Sequence, residues 1–275
     1  MSLLSVSNIA WAPDEEEAAA AVLAAQGIAH VDLAPGRYFA DPAAASDPEI
    51  AAVRAWWEER GLRIFGLQSL LFGTQGLNLF DDPNDVMLDR LSAVCRIAAG
   101  LGAKVLTFGS PRQRDRGQLD DAAVETIAIE FFTRLGDRAA EAGVAICLEP
   151  NAAVYGSNFM VTNPETAQIV RAIAHPSIQL QLDIGNLALN AEPPFATIAE
   201  VVPLVGHIHL SEPMLKPLGT GDAPHVEAAT AIGELLAGRV MTIEMVRAEG
   251  EPPLAAVERA IGFARRVYEG AQTPC

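Results

Sequence analysis

Basic residues are scarce in this 275-residue chain: 19 lysines and arginines stand against 35 aspartates and glutamates, for a formal net charge of -16. A field of that sign repels phosphate backbones and anionic lipid surfaces, which argues against nucleic-acid and membrane partners. Cysteine is rarer still. Cys95 falls in a helix-like segment, Cys147 in a strand-like one and Cys275 at the last position. An odd count without CxxC spacing gives neither a disulfide framework nor a zinc knuckle. No apolar run approaches the ~18 residues that cross a bilayer. Met1 to Pro13 has neither the basic stretch nor the sustained hydrophobic one of a secretory leader, so a cytoplasmic protein is expected. Low-complexity tracts, linkers and composition breaks are also lacking, and one domain over residues 1–275 is the expectation.

What the chain does contain is apolar residues, 50% of the total, in a regular alternation. Short β-rich runs occur at Leu4–Ile9, His30–Leu33, Ile64–Leu67, Val105–Phe108, Val144–Leu148, Ile178–Leu182, Val205–Leu210 and Val240–Ile243. Helix-like stretches lie between them: Asp14–Ala25, Glu49–Arg60, Asp85–Leu101, Ala122–Ala142, Pro164–Ala174, Val226–Leu236 and Leu254–Tyr268. The interval between the sixth and seventh strands has the weakest helical pattern. Pro13-Asp14-Glu15-Glu16 puts acid in a first turn, and Thr162-Asn163-Pro164-Glu165 reads as a cap followed by Pro at the first helical position. Gly27, Gly61, Gly102 and Gly143 each follow a helical stretch, where a left-handed residue commonly turns the chain back to a strand. Strict βα repetition fits a closed barrel or an open doubly wound sheet. No GxGxxG follows the first strand, and a (β/α)8 TIM barrel typically needs ~250 residues, so the barrel is the expected fold.

In such a barrel chemistry gathers at the C-terminal ends of the strands. Four successive apolar runs in the second half each end in a ligand-type side chain: Glu149, Asp183, His209 and Glu244. Three carboxylates and one imidazole, without a thiolate, suit one divalent ion such as Mn2+, Mg2+ or Co2+, with Zn2+ also accommodated. Taken singly, an acid at a strand end is more often a helix cap. Counting back two residues keeps to the same face of each strand and reaches Cys147, Gln181, His207 and Thr242, a polar layer expected to orient the ligands above, with His207 and Gln181 as its main members. In the first half, Asn8, Trp11, Asp32 and Gln68 lie at or near strand ends, Trp11 being most simply a core residue.

The stretches LEPN at 148–151, LDIGN at 182–186, GHIHLSEP at 206–213 and TIEM at 242–245 resemble the xylose-isomerase-like TIM-barrel superfamily. Within it the chain is similar to the sugar phosphate isomerase/epimerase group. SNIAW at 7–11, LLFG at 70–73 and FGSPRQR at 108–114 extend the likeness over nearly the whole sequence. The resemblance implies that Glu149 and Glu244 are both metal ligands and an acid/base pair on opposite faces of a substrate. Relatives commonly form homodimers or homotetramers.

Proton removal beside a carbonyl creates an enediolate whose charge a divalent metal stabilises. Paired glutamates then fit epimerisation, and a single base fits isomerisation. A metal-dependent isomerase or epimerase of a sugar or sugar phosphate is therefore the leading reading. A polyol-ketone dehydratase needs the same metal and proton abstraction. An apurinic endonuclease would need several zinc ions, many histidines and a basic surface, which five histidines and a charge of -16 oppose.

Three departures from the ketose epimerases stand out: Asn186 where many relatives carry histidine, Leu215 in place of a substrate-binding arginine with Lys216 beside it, and Tyr155 in place of an acid. They keep open a non-catalytic metal- or sugar-binding barrel. Asn151, Tyr155, Asn186, Glu212 and Lys216 are candidate substrate contacts on loops after the ligand strands, joined by Ser211 and His225. Arg112 and Arg114 follow the fourth strand and would suit a phosphate or carboxylate on the substrate. The Pro/Gly-rich stretch Pro213 to Pro224 reads as an active-site loop.

Overall fold

A computed structural model of the chain describes residues 3–248 and 250–270. Eight parallel strands close into a barrel in chain order: β1 Leu4–Ser7, β2 His30–Leu33, β3 Arg63–Leu67, β4 Val105–Phe108, β5 Ala145–Leu148, β6 Ile178–Asp183, β7 Val205–Ser211 and β8 Met241–Glu244. The helices α1 Glu16–Ala25, α2 Asp47–Glu59, α3 Val86–Leu101, α4 Asp121–Ala142, α5 Asn163–Ile173, α8 His225–Leu235 and α9 Pro253–Ala264 alternate with them. The weakly helical interval before β7 holds two short helices, α6 Ile184–Leu189 and α7 Pro194–Val201.

Local signals account for most boundaries. Ser46 caps α2, and Glu49 returns a bond to the Ser46 backbone at 2.8 Å. Thr162 caps α5 as expected, although Asn163 is the first helical residue and Pro164 the second. Pro13–Glu15 form a separate 3-10 turn, so α1 opens at Glu16. Gly102 and Gly143 end α3 and α4 at φ of 82° and 70°, which supplies the left-handed residue each turn needs.

Alternation along the strands sends Leu4 and Val6, Ile146 and Leu148, and Ile208 and Leu210 into the apolar layer under the helices, all fully buried. The opposite face fills the barrel interior, and much of it is polar: Ser5, Asp32, Thr107, Gln181, His207 and Thr242 are all buried. Trp11 packs in the apolar core. Cys95 and Cys147 are buried free thiols, and burial pushes both thiols well above the usual range; Cys275 lies outside the described residues. Among the described residues no helix is long and apolar enough to cross a membrane.

Candidate metal centre

The ends of β5 to β8 bring Glu149, Asp183, His209 and Glu244 together, with one potential ligand atom from each inside a span of 4.8 Å. His209 Nδ1 lies 3.1 Å from Glu244 Oε2 and 3.6 Å from Glu149 Oε1, so the imidazole faces both glutamates. His209 is fully buried, while the two glutamates keep a small exposure toward the barrel mouth. Above the cluster opens a cavity of about 250 Å³ lined by Glu149, Asp183 and Glu244 together with Asn151, Tyr155, Asn186, Leu215, Ser110 and Pro111.

Each carboxylate is held by a neighbour. Asn151 Nδ2 donates to Glu149 Oε2 at 2.9 Å, and Gln68 Nε2 donates to Glu244 Oε1 at 2.7 Å. Asp183 accepts the Asn186 backbone N–H at Oδ1 and the Ser211 hydroxyl at Oδ2, both at 2.6 Å. It therefore caps α6, the ordinary role of an acid at a strand end, while sitting in the cluster. Gly109 gives Glu149 its seat: a Cβ there would lie 2.4 Å from Oε2.

The electrostatics are those of crowded negative charge. Burial, then Glu149 and Glu244, push the Asp183 carboxyl up to about 7. Burial lowers the His209 pKa, but Glu244 and Glu149 outweigh it, and the net direction is well upward.

The supporting layer differs from the one expected by counting back. Among the described residues neither His207 nor Gln181 hydrogen-bonds to a member of the cluster. Gln181 accepts the Thr107 hydroxyl at 3.2 Å, and His207 Nε2 lies 2.8 Å from Asp32 Oδ2 and 3.2 Å from Thr242 Oγ1. Gln181 and His207 do sit level with each other, two residues below the paired Asp183 and His209, but their polar atoms bond within their own layer; only β8 is offset, Thr242 pairing with His209 and Glu244 with Ser211. The partners that do hold the carboxylates, Gln68, Asn151 and Ser211, follow or end strands; the sequence marks Gln68 at a strand end and offers Asn151 and Ser211 as substrate contacts, not as supports for the cluster.

Several expected substrate contacts point elsewhere. The Arg114 guanidinium is fully buried behind β5 and donates to the Glu149 carbonyl and to Asn151 Oδ1, both at 2.8 Å. Arg112 is exposed and lines a neighbouring cavity of about 530 Å³, walled also by Phe72 and Thr74, that contains none of the four cluster residues. Glu212 is buried and turned into its own loop, accepting from Gly219 N at 2.9 Å and Ala223 N at 3.2 Å and facing His225 Nε2 at 3.2 Å. Lys216 is exposed and outside the cavity wall. Asn151, Tyr155 and Asn186 do line the cavity. Tyr155 accepts the Met214 N–H at 2.9 Å, and burial raises its phenol pKa. Asn186 Oδ1 accepts from Ala152 N at 2.7 Å, which leaves its buried Nδ2 without a partner.

Closure of eight parallel strands with the cluster at their C-terminal ends defines a (β/α)8 barrel with a polar mouth. Residues 19–267 match the xylose isomerase-like TIM barrel family, and the chain belongs to it. D-psicose 3-epimerase from Clostridium cellulolyticum H10, solved with D-tagatose, is similar at a TM-score of 0.79 and 17% identity, over 96% of this chain and 99% of that one. D-allulose 3-epimerase from Methylomonas sp., solved with D-allulose, gives 0.77 at 18% identity, over 96% of each chain. The 3-keto-D-glucoside 4-epimerase from E. coli gives 0.76 at 16% identity, over 97% of this chain and 100% of that one. At such identities the likeness establishes the shared barrel. No curated protein matches the chain by sequence.

Proposed function

We propose that the protein is a divalent-metal-dependent isomerase or epimerase of a keto-sugar or sugar phosphate, with Glu149, Asp183, His209 and Glu244 as metal ligands and Glu149 and Glu244 as the proton carriers. The observation that carries this reading is the cluster itself: three carboxylates and an imidazole converge within 4.8 Å beneath a sugar-sized cavity. Burial, with Glu149 and Glu244 close by, drives the Asp183 pKa up, as befits a site short of positive charge, and an oxygen-rich set fits Mn2+, Mg2+ or Co2+, with Zn2+ accommodated. The family and the activities of the similar epimerases support the same class of reaction.

When bound, the ion supplies Lewis-acid stabilisation for negative charge developing on substrate oxygens. The chain's own residues do the rest. Asn151 and Gln68 each tie down one oxygen of Glu149 and Glu244, which leaves the other oxygen of each glutamate facing the cluster. A glutamate so oriented removes the proton on the carbon next to the carbonyl, and the second glutamate can return one to the other face, inverting the centre. The free Asn186 Nδ2 is placed to donate to a substrate oxygen where relatives carry histidine. Tyr155 and Leu215 shape the cavity, with Leu215 held over it by the Val246 N–H bond to its carbonyl at 2.9 Å.

The test is solvent exchange. Mn2+-loaded protein incubated in D2O with a panel of ketoses, ketose phosphates and keto-glycosides is expected to place deuterium next to the carbonyl of at least one. Glu149→Gln and Glu244→Gln are each expected to slow that exchange by about 10²- to 10⁴-fold. Absence of exchange across the panel by the loaded wild type overturns the reading, and loss of water from the product would reassign it to a dehydratase.

A further inference from the structure

A second group of buried titratable side chains, Asp32 and His207, shares His209 with the proposed metal ligands, and that mechanism leaves Asp32 and His207 unused. Asp32 belongs to β2 and is fully buried. Its Oδ1 accepts the Ser5 hydroxyl at 2.9 Å, and its Oδ2 lies 2.8 Å from His207 Nε2 and 3.9 Å from His209 Nε2. A carboxylate this deep is costly unless partnered, so the barrel must be built around it. The structure shows that it is. A Cβ on Gly66 of β3 would stand 2.6 Å from Asp32 Oδ2, and the β2–β3 ladder shifts register between Val31 and Asp32.

His209 supplies the second half of the argument. Its Nδ1 points at Glu149 and Glu244, while its fully buried Nε2 has no hydrogen-bond partner. Among the described residues Asp32 is the carboxylate that faces this nitrogen within ion-pair distance. Histidines that ligate metals commonly direct their other ring N–H at a carboxylate, which sets the tautomer and the ring orientation. The edge-to-face contact between the His207 and His209 rings, with centroids 5.1 Å apart, links the ring bonded to Asp32 to the ring in the cluster.

We infer that Asp32 is a positioning residue for the metal centre: from below His209 it keeps a proton on Nε2, leaves the Nδ1 lone pair to the cation, and adds negative charge under the site. The inference rests on the assignment of His209 as a ligand. A carboxylate present only to satisfy His207 would influence stability alone; a positioning carboxylate influences metal affinity.

The experiment is Mn2+ titration of metal-free protein by calorimetry, with circular dichroism on every variant. Asp32→Asn is expected to weaken Mn2+ binding about 10- to 100-fold while the far-ultraviolet spectrum stays that of the wild type. Thr107→Val, which removes another interior hydrogen bond without touching either histidine, is expected to stay within about twofold of wild-type affinity. Equal affinity in Asp32→Asn and wild type overturns the inference and leaves the metal centre standing; a wild type that binds no Mn2+ overturns the metal centre itself. Two Mn2+ per chain, with one lost in Asp32→Asn, would make Asp32 a ligand and also overturn the positioning role. Should Asp32→Asn fail to fold, Asp32→Ser decides in the same titration: Mn2+ binding weakened about tenfold or more is expected, and wild-type affinity overturns the inference.

Discussion

Asp183 Oδ1 takes the N–H that opens α6 and Oδ2 takes the Ser211 hydroxyl, so both oxygens are oriented by the fold in a residue that lines the cavity. Arg114 does comparable work from behind. Its buried guanidinium braces the Glu149 carbonyl and Asn151 Oδ1, and Asn151 in turn holds Glu149 Oε2. Arg114→Met keeps an unbranched apolar stem but leaves two buried acceptors without their donor, which costs about 1–3 kcal/mol. A matching fall in urea midpoint is expected, and an unchanged midpoint would remove Arg114 from this role. Arg112 two residues earlier is exposed, so adjacent basic residues of one motif have unrelated surroundings.

The segment from β7 to α8 is organised by a single acid. Glu212 gathers the Gly219 and Ala223 N–H groups and the His225 ring, and His225 Nδ1 reaches the buried Tyr268 hydroxyl at 2.6 Å. The same segment carries Leu215, which lines the cavity with a left-handed backbone at φ 52° next to Met214 at φ 61°. Two consecutive non-glycine residues in that region cost free energy and persist only where the surroundings hold them. In Glu212→Ala the amide protons of Gly219 and Ala223 are expected to exchange at least about tenfold faster, the equivalent of roughly 1.4 kcal/mol of lost protection. Unaltered exchange at both amides would mean that the loop is held by other contacts.

Across the whole molecule the cluster links stability to pH and to metal. His209 has its folded pKa raised above the unfolded value of 6.5, so its contribution is present below that pH and is lost as pH climbs through the folded pKa. Asp183, raised from 3.8 to about 7, retains its proton in the folded state after the unfolded chain has lost it, so folding is penalised increasingly over that interval. His207 and His30 are lowered instead, and their opposing influence ends at the unfolded value of 6.5. Metal-free protein is therefore expected to lose urea resistance as the pH rises above 6.5. Saturating Mn2+ should reduce that loss, because binding stabilises the folded state and tightens as ligand protons leave. Metal-free protein that is more stable at the higher pH would contradict the charge crowding described for the cluster.

Periodicity made the eight strands legible, because apolar alternation and helix caps are local properties that survive in one dimension. The strand-end rule also placed Glu149, Asp183, His209 and Glu244 on the barrel mouth, since the C-terminal end of a parallel strand is the same end for all eight. Direction and partnership were not legible. Nothing local marks that Arg114 turns inward while Arg112 turns out, or that Glu212 bonds to its own loop. Asp32 meets His207 across 175 residues and Gln68 meets Glu244 across 176, contacts that exist only once strands from both halves close with their particular tilt and stagger. Which residues form the cluster is written along the strands; which neighbours hold them is set by closure of the barrel.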